Sequence, residues 1–293
     1  MPDQPVRELR DLTRARTQLT RERGQIVQRL EKLLEDTGIK LAAVASDIMG
    51  VSGRAMLEAL VWGEREPQAL AELARRKLHN KIPELTEALT GRFRDHPAFL
   101  VRLHLDHYDQ LTDSVGQLDA RIEAAMAPFR PELDLLDTIP GINRAVAEVI
   151  IAETGGEMAR FASARHLASW AGVCPGHHES AGRTKNTKVR PGNPYLKGAL
   201  GLAAFGAVRT KDTYLQARYK RLTARRGPLR ALVAVEHSII TAIWHMLTDN
   251  IPYRELGGDY FTQRDPERAT RRAINALNQL GYTVTLNPRG ATA

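Results

Sequence analysis

Leucine and isoleucine recur at helical spacing near the start of the chain. One series repeats every seven residues and comprises Leu12, Leu19, Ile26 and Leu33. Leu9 and Leu30 occupy the partner position of the same repeat, which Arg16 and Arg23 interrupt. A seven-residue apolar repeat is typical of a coiled-coil seam, so the pattern predicts one long helix over residues 6–36.

A second long helix is predicted over residues 97–126. Its apolar positions lie three or four residues apart, at Tyr108, Leu111, Val115, Leu118 and Ile122. The intervening segment, 40–90, has several glycine and proline breaks and no strand alternation, which predicts a series of shorter helices. The two long helices are predicted to pair as an antiparallel arm that also dimerises the chain, with a purely structural scaffold as the alternative.

The pattern changes after Pro128 and Pro131, which mark a linker. Beyond it we predict a short helix, a tight hairpin and further helices at 143–153, 163–172, 194–208, 212–225, 231–249 and 266–281, with a possible lone strand at 282–286. The predicted fold is therefore mainly α. A coiled-coil and helical arm spans 1–130, a helical domain containing a helix-hairpin-helix spans 131–262, and a C-terminal helix and tail span 263–293.

Composition narrows the class of protein. No window approaches 18 uninterrupted apolar residues, so we expect no membrane span. The N-terminal residues are charged and lack the apolar core of a signal peptide. Cys174 is the one cysteine, which excludes an intrachain disulfide and favours a cytoplasmic location. Its neighbours His177 and His178 leave metal binding as a less favoured alternative to a small loop cysteine.

Positive charge is concentrated in one segment. The chain carries a net charge of +8, and residues 183–230 contain thirteen Lys or Arg against the single acidic residue Asp212. That segment therefore carries +12, and the rest of the chain carries −4. Like charges this dense repel one another unless an anion neutralises them, so we expect a polyanionic partner, most simply nucleic acid. A solvated basic face without a partner is the alternative.

The predicted hairpin contains Gly141, Ile142, Asn143 and Arg144. Glycine permits a sharp turn and a close approach to a ligand, and asparagine is the next best residue for a left-handed conformation. The helix that follows points its free N–H groups at the turn, which suits an anion such as a DNA phosphate. The segment resembles a helix-hairpin-helix that contacts DNA backbone, and a helical corner without a ligand is the alternative.

Ser180 lies at the start of the basic segment, between Gly176 and Gly182. The glycines would allow a phosphodiester to approach, His177 and His178 are candidate proton carriers, and four cations follow: Arg183, Lys185, Lys188 and Arg190. A serine hydroxyl needs such help to act as a nucleophile. By this chemistry alone, however, Ser180 is one loop serine among several.

The order of motifs adds a resemblance to a known family. The segments LDTIPGIN, AEVIIAETG, RFASARHLASWAGVCPGHHESAGRTK and GNPYLKGAL resemble the C-terminal transposase domain of the insertion sequence 110 family, the DEDD/serine recombinases guided by a bridge RNA. RELRDLTRARTQLTRER, RRKLHNKIPELTEALTGRF and PYRELGGDYFTQRD also resemble its members. The resemblance implies DNA transposition in which Ser180, the serine of the AGVCPGHHES segment, attacks a DNA phosphodiester and forms a phosphoserine intermediate. It further implies that residues 131–262 form the transposase domain, with guide RNA as a partner and an oligomer that assembles a composite active site.

The chain departs from the family in one respect. Members of the family carry an RNase-H-like domain whose four acidic residues hold Mg²⁺, ahead of the coiled coil. Residues 1–130 contain no β-rich acidic segment, so the metal ligands are expected to be absent and the chain to be a C-terminal fragment or truncated copy. Such a chain would need the acidic domain in cis or in trans. The alternative function is a non-catalytic DNA-binding and dimerisation fragment that regulates a full-length transposase.

Overall fold

The computed structural model describes residues 3–175, 178–180, 183–186 and 188–286, with the backbone alone described in 178–180 and 183–186. Fourteen α-helices and one two-stranded sheet form within these residues. They divide into two units. One comprises Asp11–Ala125, and the other comprises the residues up to Arg10 together with those from Met126 onward. The mainly α fold is confirmed.

The unit Asp11–Ala125 is built on two long helices. Its elements are α1 (Gln4–Asp36), α2 (Leu41–Val44), α3 (Val51–Val61), α4 (Pro67–Ala71), a 3-10 segment (Arg76–Lys81), α5 (Ile82–Ala88) and α6 (Asp95–Ala125). Arg16 lies 3.0 Å from Asp119, and the Arg23 guanidinium lies over the Tyr108 ring. Between these two contacts the residue number increases along α1 and decreases along α6. The two helices therefore run antiparallel, as predicted.

The buried stripe of α1 differs in register from the predicted seam. Ile26, Leu30 and Leu34 are fully buried in the core of this unit, whereas Leu12, Leu19 and Leu33 are only half-buried. Arg16, predicted to interrupt the seam, is itself buried and paired with Asp119. The buried face includes the polar residues Thr13 and Arg16, which is why apolar spacing alone selected the more exposed face.

The second unit contains the remaining helices. These are α7 (Arg130–Asp137), α8 (Arg144–Thr154), α9 (Ala164–Trp170), α10 (Pro194–Ala207), α11 (Tyr214–Arg226), α12 (Pro228–Asp249), α13 (Tyr260–Arg264) and α14 (Pro266–Gln279), with short 3-10 segments at Ala127–Phe129 and Met158–Arg160. Helix α8 is buried from Val146 to Thr154. The stripe of α12 that contains Val235, Ile239 and Ile243 is fully buried and packs against α9, α10 and α11.

Helices α10, α11 and α12 form an up-down-up bundle. The turn before α8 packs on the last turns of α10, and the Tyr253 N–H, just after α12, donates to the Thr138 hydroxyl in that same turn. The end of α12 therefore lies near the end of α10. The Tyr214 N–H at the start of α11 donates to Glu255. The end of the bundle where α10 and α12 finish and α11 begins is called the turn end. The opposite end, where α10 begins and α11 passes into α12, is called the hairpin end.

Helix α12 is the one helix among the described residues that is long and apolar enough to cross a membrane. Its most apolar window has a mean hydropathy of 1.3, and 44% of that window is buried inside the protein. This is weak evidence for a membrane span, because the core helix of a helical domain has the same length and composition.

One local prediction is wrong. Residues 282–286 form no strand, because no strand among the described residues pairs with them; the Tyr282 N–H instead donates to the Leu277 carbonyl and closes α14. Ser163 stands at the N-cap position of α9, but its hydroxyl lies 2.9 Å from the His166 ring and caps no backbone N–H group.

Candidate functional site

Ser180 lies in a β-hairpin that the sequence did not predict. Strand β1 (His178–Ser180) pairs antiparallel with β2 (Arg183–Asn186), and Ser180 is the register partner of Arg183. An isolated bridge between Pro175 and Val189 extends the pairing toward the helices. The segment was predicted as a loop because it shows no alternation of apolar and polar residues. His177, Gly176 and Gly182 lie outside the described residues, as do the side chains of Ser180, Arg183 and Lys185.

The base of the hairpin is closed by two glycines. Gly172 and Gly192 approach so closely that a Cβ on either would overlap the backbone of the other, and Gly172 also has a φ of +74°. The Asn193 N–H donates to the Trp170 carbonyl at 3.2 Å. The chain thus leaves α9 and enters α10 at nearly the same place. Glycine is required on both sides of this crossing, because only glycine allows two backbones to touch.

Asn193 fixes this base to the helical core. Its side-chain oxygen accepts hydrogen bonds from the Tyr195 and Leu196 N–H groups, and its amide nitrogen donates to Glu153 at 2.6 Å. Glu153 is only 2% exposed and also faces Arg10, whose guanidinium donates to the Glu153 carbonyl oxygen at 2.8 Å. A buried carboxylate is stable only when such donors surround it. The hairpin that carries Ser180 is therefore attached to the helical core through a cluster of buried polar contacts.

The predicted hairpin before α8 is present, at residues 138–143. Gly141 has a φ of +89°, and a Cβ at this position would overlap the Ala203 carbonyl and the Ala207 amide nitrogen of α10. Gly141 is thus required by its packing against α10. Ile142 is buried, and its N–H donates to the Ile139 carbonyl.

Asn143 acts differently from what we predicted. It has an extended conformation (φ −103°, ψ 172°) and caps α8 by accepting the Val146 N–H at 3.0 Å. The expected left-handed conformation is therefore wrong, because a β-region backbone is what an N-cap requires. Arg144, at the first position of α8, pairs with the buried Glu148 at 3.0 Å and remains about half exposed.

The predicted site residues fall into two groups at opposite ends of the bundle. Ser180 and the following cations belong to the hairpin end, and Gly141 to Arg144 belong to the turn end. Gly141 packs ten to fourteen residues along α10 from Asn193, a distance of roughly 15–20 Å at 1.5 Å per residue. Lys188 and Arg190 are exposed on the described part of the hairpin. The role of each predicted site residue stays a prediction.

Sequence reasoning missed the anchoring residues Asn193, Glu153 and Arg10. The motif Asn-Pro at 193–194 was a usable signal, since asparagine before a proline is a favoured start of a helix. Nothing in the sequence indicated that Glu153 and Arg10, which are 143 residues apart, would meet.

The described side chains provide no site for Mg²⁺. Within the described residues, no group of three or more His, Cys, Asp or Glu is arranged to hold a metal ion. Cys174 is half-buried, and burial raises the pKa of its thiol. The described side chains therefore do not fit the metal centre that the family resemblance implies.

The domain thus combines a helical core, a hairpin anchored to it by polar contacts and an adjoining basic segment. Residues 133–220 match the family described as Transposase IS116/IS110/IS902 family. The match runs from α7 to the middle of α11 and includes Ser180 and the hairpin before α8. The chain therefore carries the transposase domain of the IS116/IS110/IS902 family.

Several relatives extend this likeness beyond the domain. The Insertion element IS900 uncharacterized 42 kDa protein of Mycobacterium paratuberculosis is 27% identical over 84% of this chain and 65% of its own length. A Pilin gene-inverting protein of Moraxella bovis is 28% identical over 50% of this chain and 48% of its own length. The Insertion element IS110 uncharacterized 43.6 kDa protein of Streptomyces coelicolor is 32% identical over 47% and 33%, respectively. The chain thus aligns with less than two thirds of the length of each relative.

Proposed function

We propose that this chain is the serine-bearing part of an IS110-type DNA recombinase, in which Ser180 is the nucleophile. The observation that supports this most directly is the position of Ser180 at the end of β1, paired with Arg183 across a hairpin anchored through Asn193 and Glu153. A nucleophile must be held in a reproducible place to attack a phosphodiester. The anchored base provides that rigidity.

The proposed reaction is a transfer of a DNA phosphoryl group to serine. The Ser180 oxygen loses its proton and attacks phosphorus, and the bond from phosphorus to one deoxyribose oxygen breaks. That oxygen leaves as a hydroxyl after taking up a proton, and a phosphoserine ester remains. A deoxyribose hydroxyl of another strand then reverses the step, which reseals DNA. Cations near β2 would neutralise the charge that develops on the phosphoryl oxygens.

The metal-binding carboxylates are proposed to come from an acidic domain supplied in cis or by another polypeptide. Guide RNA, a homo-oligomer and a cytoplasmic location belong to the same proposal, carried by the family resemblance. A second candidate is a non-catalytic DNA-binding and dimerisation protein that regulates a full-length transposase. The described residues contain no cluster of carboxylates that could hold a metal ion, and this observation supports the regulatory alternative.

The proposal is tested by trapping the covalent intermediate. The chain is mixed with labelled duplex DNA and a full-length IS110-type transposase whose own corresponding serine has been replaced by alanine. Any protein–DNA adduct of this chain's mass must then come from its own nucleophile. We expect an adduct with the wild-type chain, located at Ser180 by peptide mass spectrometry, and none with Ser180→Ala.

Two serines provide matched controls. Ser163 precedes α9 and Ser169 lies within it. The variants Ser163→Ala and Ser169→Ala should each still form the adduct. Ser180→Ala should leave DNA affinity within about twofold, because it removes no phosphate-binding charge. An adduct that persists in Ser180→Ala, or that maps to another serine, would exclude Ser180 as the nucleophile. A chain that binds DNA but never forms an adduct would support the regulatory alternative.

A further inference from the structure

Five cations cluster where α11 passes into α12, and we call this cluster the basic corner. Its members, all exposed, are Lys220, Arg221, Arg225, Arg226 and Arg230. They surround Gly227, and residues 214–230 contain no acidic residue at all. Residues 221–230 also lie beyond the segment 133–220 that matches the transposase family.

The basic corner has no internal counter-charge. In the part of the chain that the structure describes, none of its five side chains lies within ion-pair distance of a carboxylate. Lys220 instead donates to the Gln216 side chain at 3.1 Å, and the Arg221 guanidinium stacks 4.6 Å from the Phe261 ring centroid. Other arginines of this unit, such as Arg144 and Arg160, do pair with glutamates. The corner therefore retains its mutual repulsion, which an external polyanion would relieve.

The start of α12 adds to this positive field. Gly227 occupies its N-cap position with a φ of +80°, and no side chain caps the helix. Pro228 has no N–H, so the first amides of α12 without an acceptor in the helix are those of Leu229 and Arg230. Leu229, at the same corner, is 78% exposed. The positive end of a 22-residue helix thus adds to the field of the five exposed cations.

The basic corner and the Ser180 hairpin lie at the same end of the bundle. Asn193 begins α10 at the base of the hairpin, and α11 ends at Arg226 beside it in the up-down-up arrangement. A Cβ added at Gly201 of α10 would lie 3.8 Å from the Glu236 carboxylate of α12, which sets the first halves of these two helices side by side. Gly141 and Arg144 lie at the other end.

We propose that the basic corner binds the sugar-phosphate backbone of the duplex DNA that Ser180 attacks, on the flank of the scissile phosphate. This inference rests on the proposed function for its choice of DNA as the polyanion. Arg225 and Arg226 end α11 and Arg230 lies in the first turn of α12, so the three cations flank one joint, which suits contacts to roughly two or three neighbouring phosphates. The hairpin performs the chemistry, and the corner supplies affinity and holds the duplex in register.

The test compares two variants that lose the same charge. In the corner variant, Arg225, Arg226 and Arg230 are each replaced by Gln. In the control variant, the exposed residues Arg268, Arg271 and Arg272 of α14 are each replaced by Gln. Affinity for a labelled DNA duplex is measured by fluorescence anisotropy over a series of salt concentrations, with an RNA duplex of the same sequence in parallel.

We expect the corner variant to bind DNA at least tenfold more weakly than the wild type. Its plot of log affinity against log salt should be flatter by about 0.9 for each lost phosphate contact, or roughly 2–3 in all. The control variant should change the slope by less than 1. Equal losses in both variants, an unchanged slope in the corner variant, or a loss confined to the RNA duplex would each overturn the proposal.

A second measurement separates this proposal from the nucleophile. If the adduct forms, the corner variant should recover wild-type adduct yield at saturating DNA, whereas Ser180→Ala should form none at any concentration. A corner variant that still fails at saturation would overturn a binding role for the corner. If no adduct forms with any chain while the corner variant alone loses its salt slope, the corner stands and the Ser180 proposal fails.

Discussion

Glu236 is a carboxyl group buried without a full set of partners. It lies on α12, is 6% exposed, and its Oε2 atom has no hydrogen-bond partner in the described part of the protein. Burial raises the pKa of Glu236, and the Lys197 charge opposes part of that rise. The folded state therefore favours the protonated form. Stability from this group is fully present below the pKa of an unfolded glutamate and is lost as the pH rises through the folded pKa.

Glu236→Gln is accordingly expected to stabilise the protein at neutral pH. The amide is neutral at every pH, so its advantage should be roughly 1 kcal/mol near pH 7 and should vanish near pH 4. Thermal unfolding of both proteins across this pH range measures the difference. Glu35→Gln, at an exposed position of α1, should show no such trend. A Glu236→Gln advantage that stayed constant with pH would show that the carboxyl is not protonated on folding.

Two asparagines show what the sequence can predict at the scale of a residue. Both Asn143 and Asn193 precede a helix, and both cap it. The sequence around 193 contained the proline that marks such a cap. At 143, comparison with a glycine-containing motif favoured the wrong conformation, although the same asparagine is also a strong N-cap residue. The local sequence is compatible with both a left-handed turn residue and an N-cap at Asn143, and only the direction of α8 distinguishes the two.

The turn at the start of α8 and the joint at the start of α12 differ in a way that substitutions can measure. Gly141 and Gly227 both have positive φ, of +89° and +80°. An added Cβ would collide with α10 at Gly141 but would meet no atom within 4 Å at Gly227. Gly227 has a ψ of 165°, a conformation that is essentially confined to glycine, so Gly227→Ala should cost roughly 1–3 kcal/mol through backbone strain alone. Gly141→Ala should cost roughly 2–3 kcal/mol more, because α10 must move.

Chemical denaturation of the two variants measures these costs. Gly227→Ala strains the backbone without a steric collision, so it is the internal reference for backbone strain. Similar losses in both variants would show that the contact between Gly141 and α10 is loose. The result also bears on the helix-hairpin-helix prediction, because a glycine required for packing needs no DNA ligand to explain it.

Elements with strong periodicity were the predictable part of this fold. The long helices α1 and α6 and the apolar helix α12 follow from spacing alone, and so does the antiparallel pairing of the first two. The seam of α1 was misplaced because Ile26 belongs to both candidate stripes. It lies in the intramolecular core, so Ile26→Asp would unfold this unit whether or not a dimer exists. The predicted dimer is better tested at the half-buried Leu12 and Leu19.

The hairpin of β1 and β2 was not predictable in the same way. Its strands contain three and four residues with polar side chains, and such strands carry no alternation of apolar and polar positions. Its base depends on Gly172 and Gly192, which are twenty residues apart in sequence. Contacts of this kind are created by the tertiary fold, which explains why the candidate site was predicted less completely than the helices around it.

Protection across the molecule should be uneven. Helix α12 is buried along one side, whereas α14 has no buried residue. Backbone amides of α14 should therefore exchange with solvent at least about 100-fold faster than those of α12. Hydrogen exchange followed by mass spectrometry measures both helices in one sample. Comparable protection would mean that the apolar face of α14, with Leu277 and Leu280, is covered in solution.

Arg10 contacts the end of α8, at the base of the Ser180 hairpin. Its guanidinium donates to the backbone of Ala152 and Glu153, more than 140 residues later. At ribosomal speeds of about 5–20 residues per second, the partners of Arg10 emerge roughly 7–30 s after it does. The Asp11–Ala125 unit is synthesised entirely within that interval. The residues around Arg10 must therefore wait for their partners with Leu9 uncovered, and a chaperone that binds nascent apolar segments has a long opportunity there.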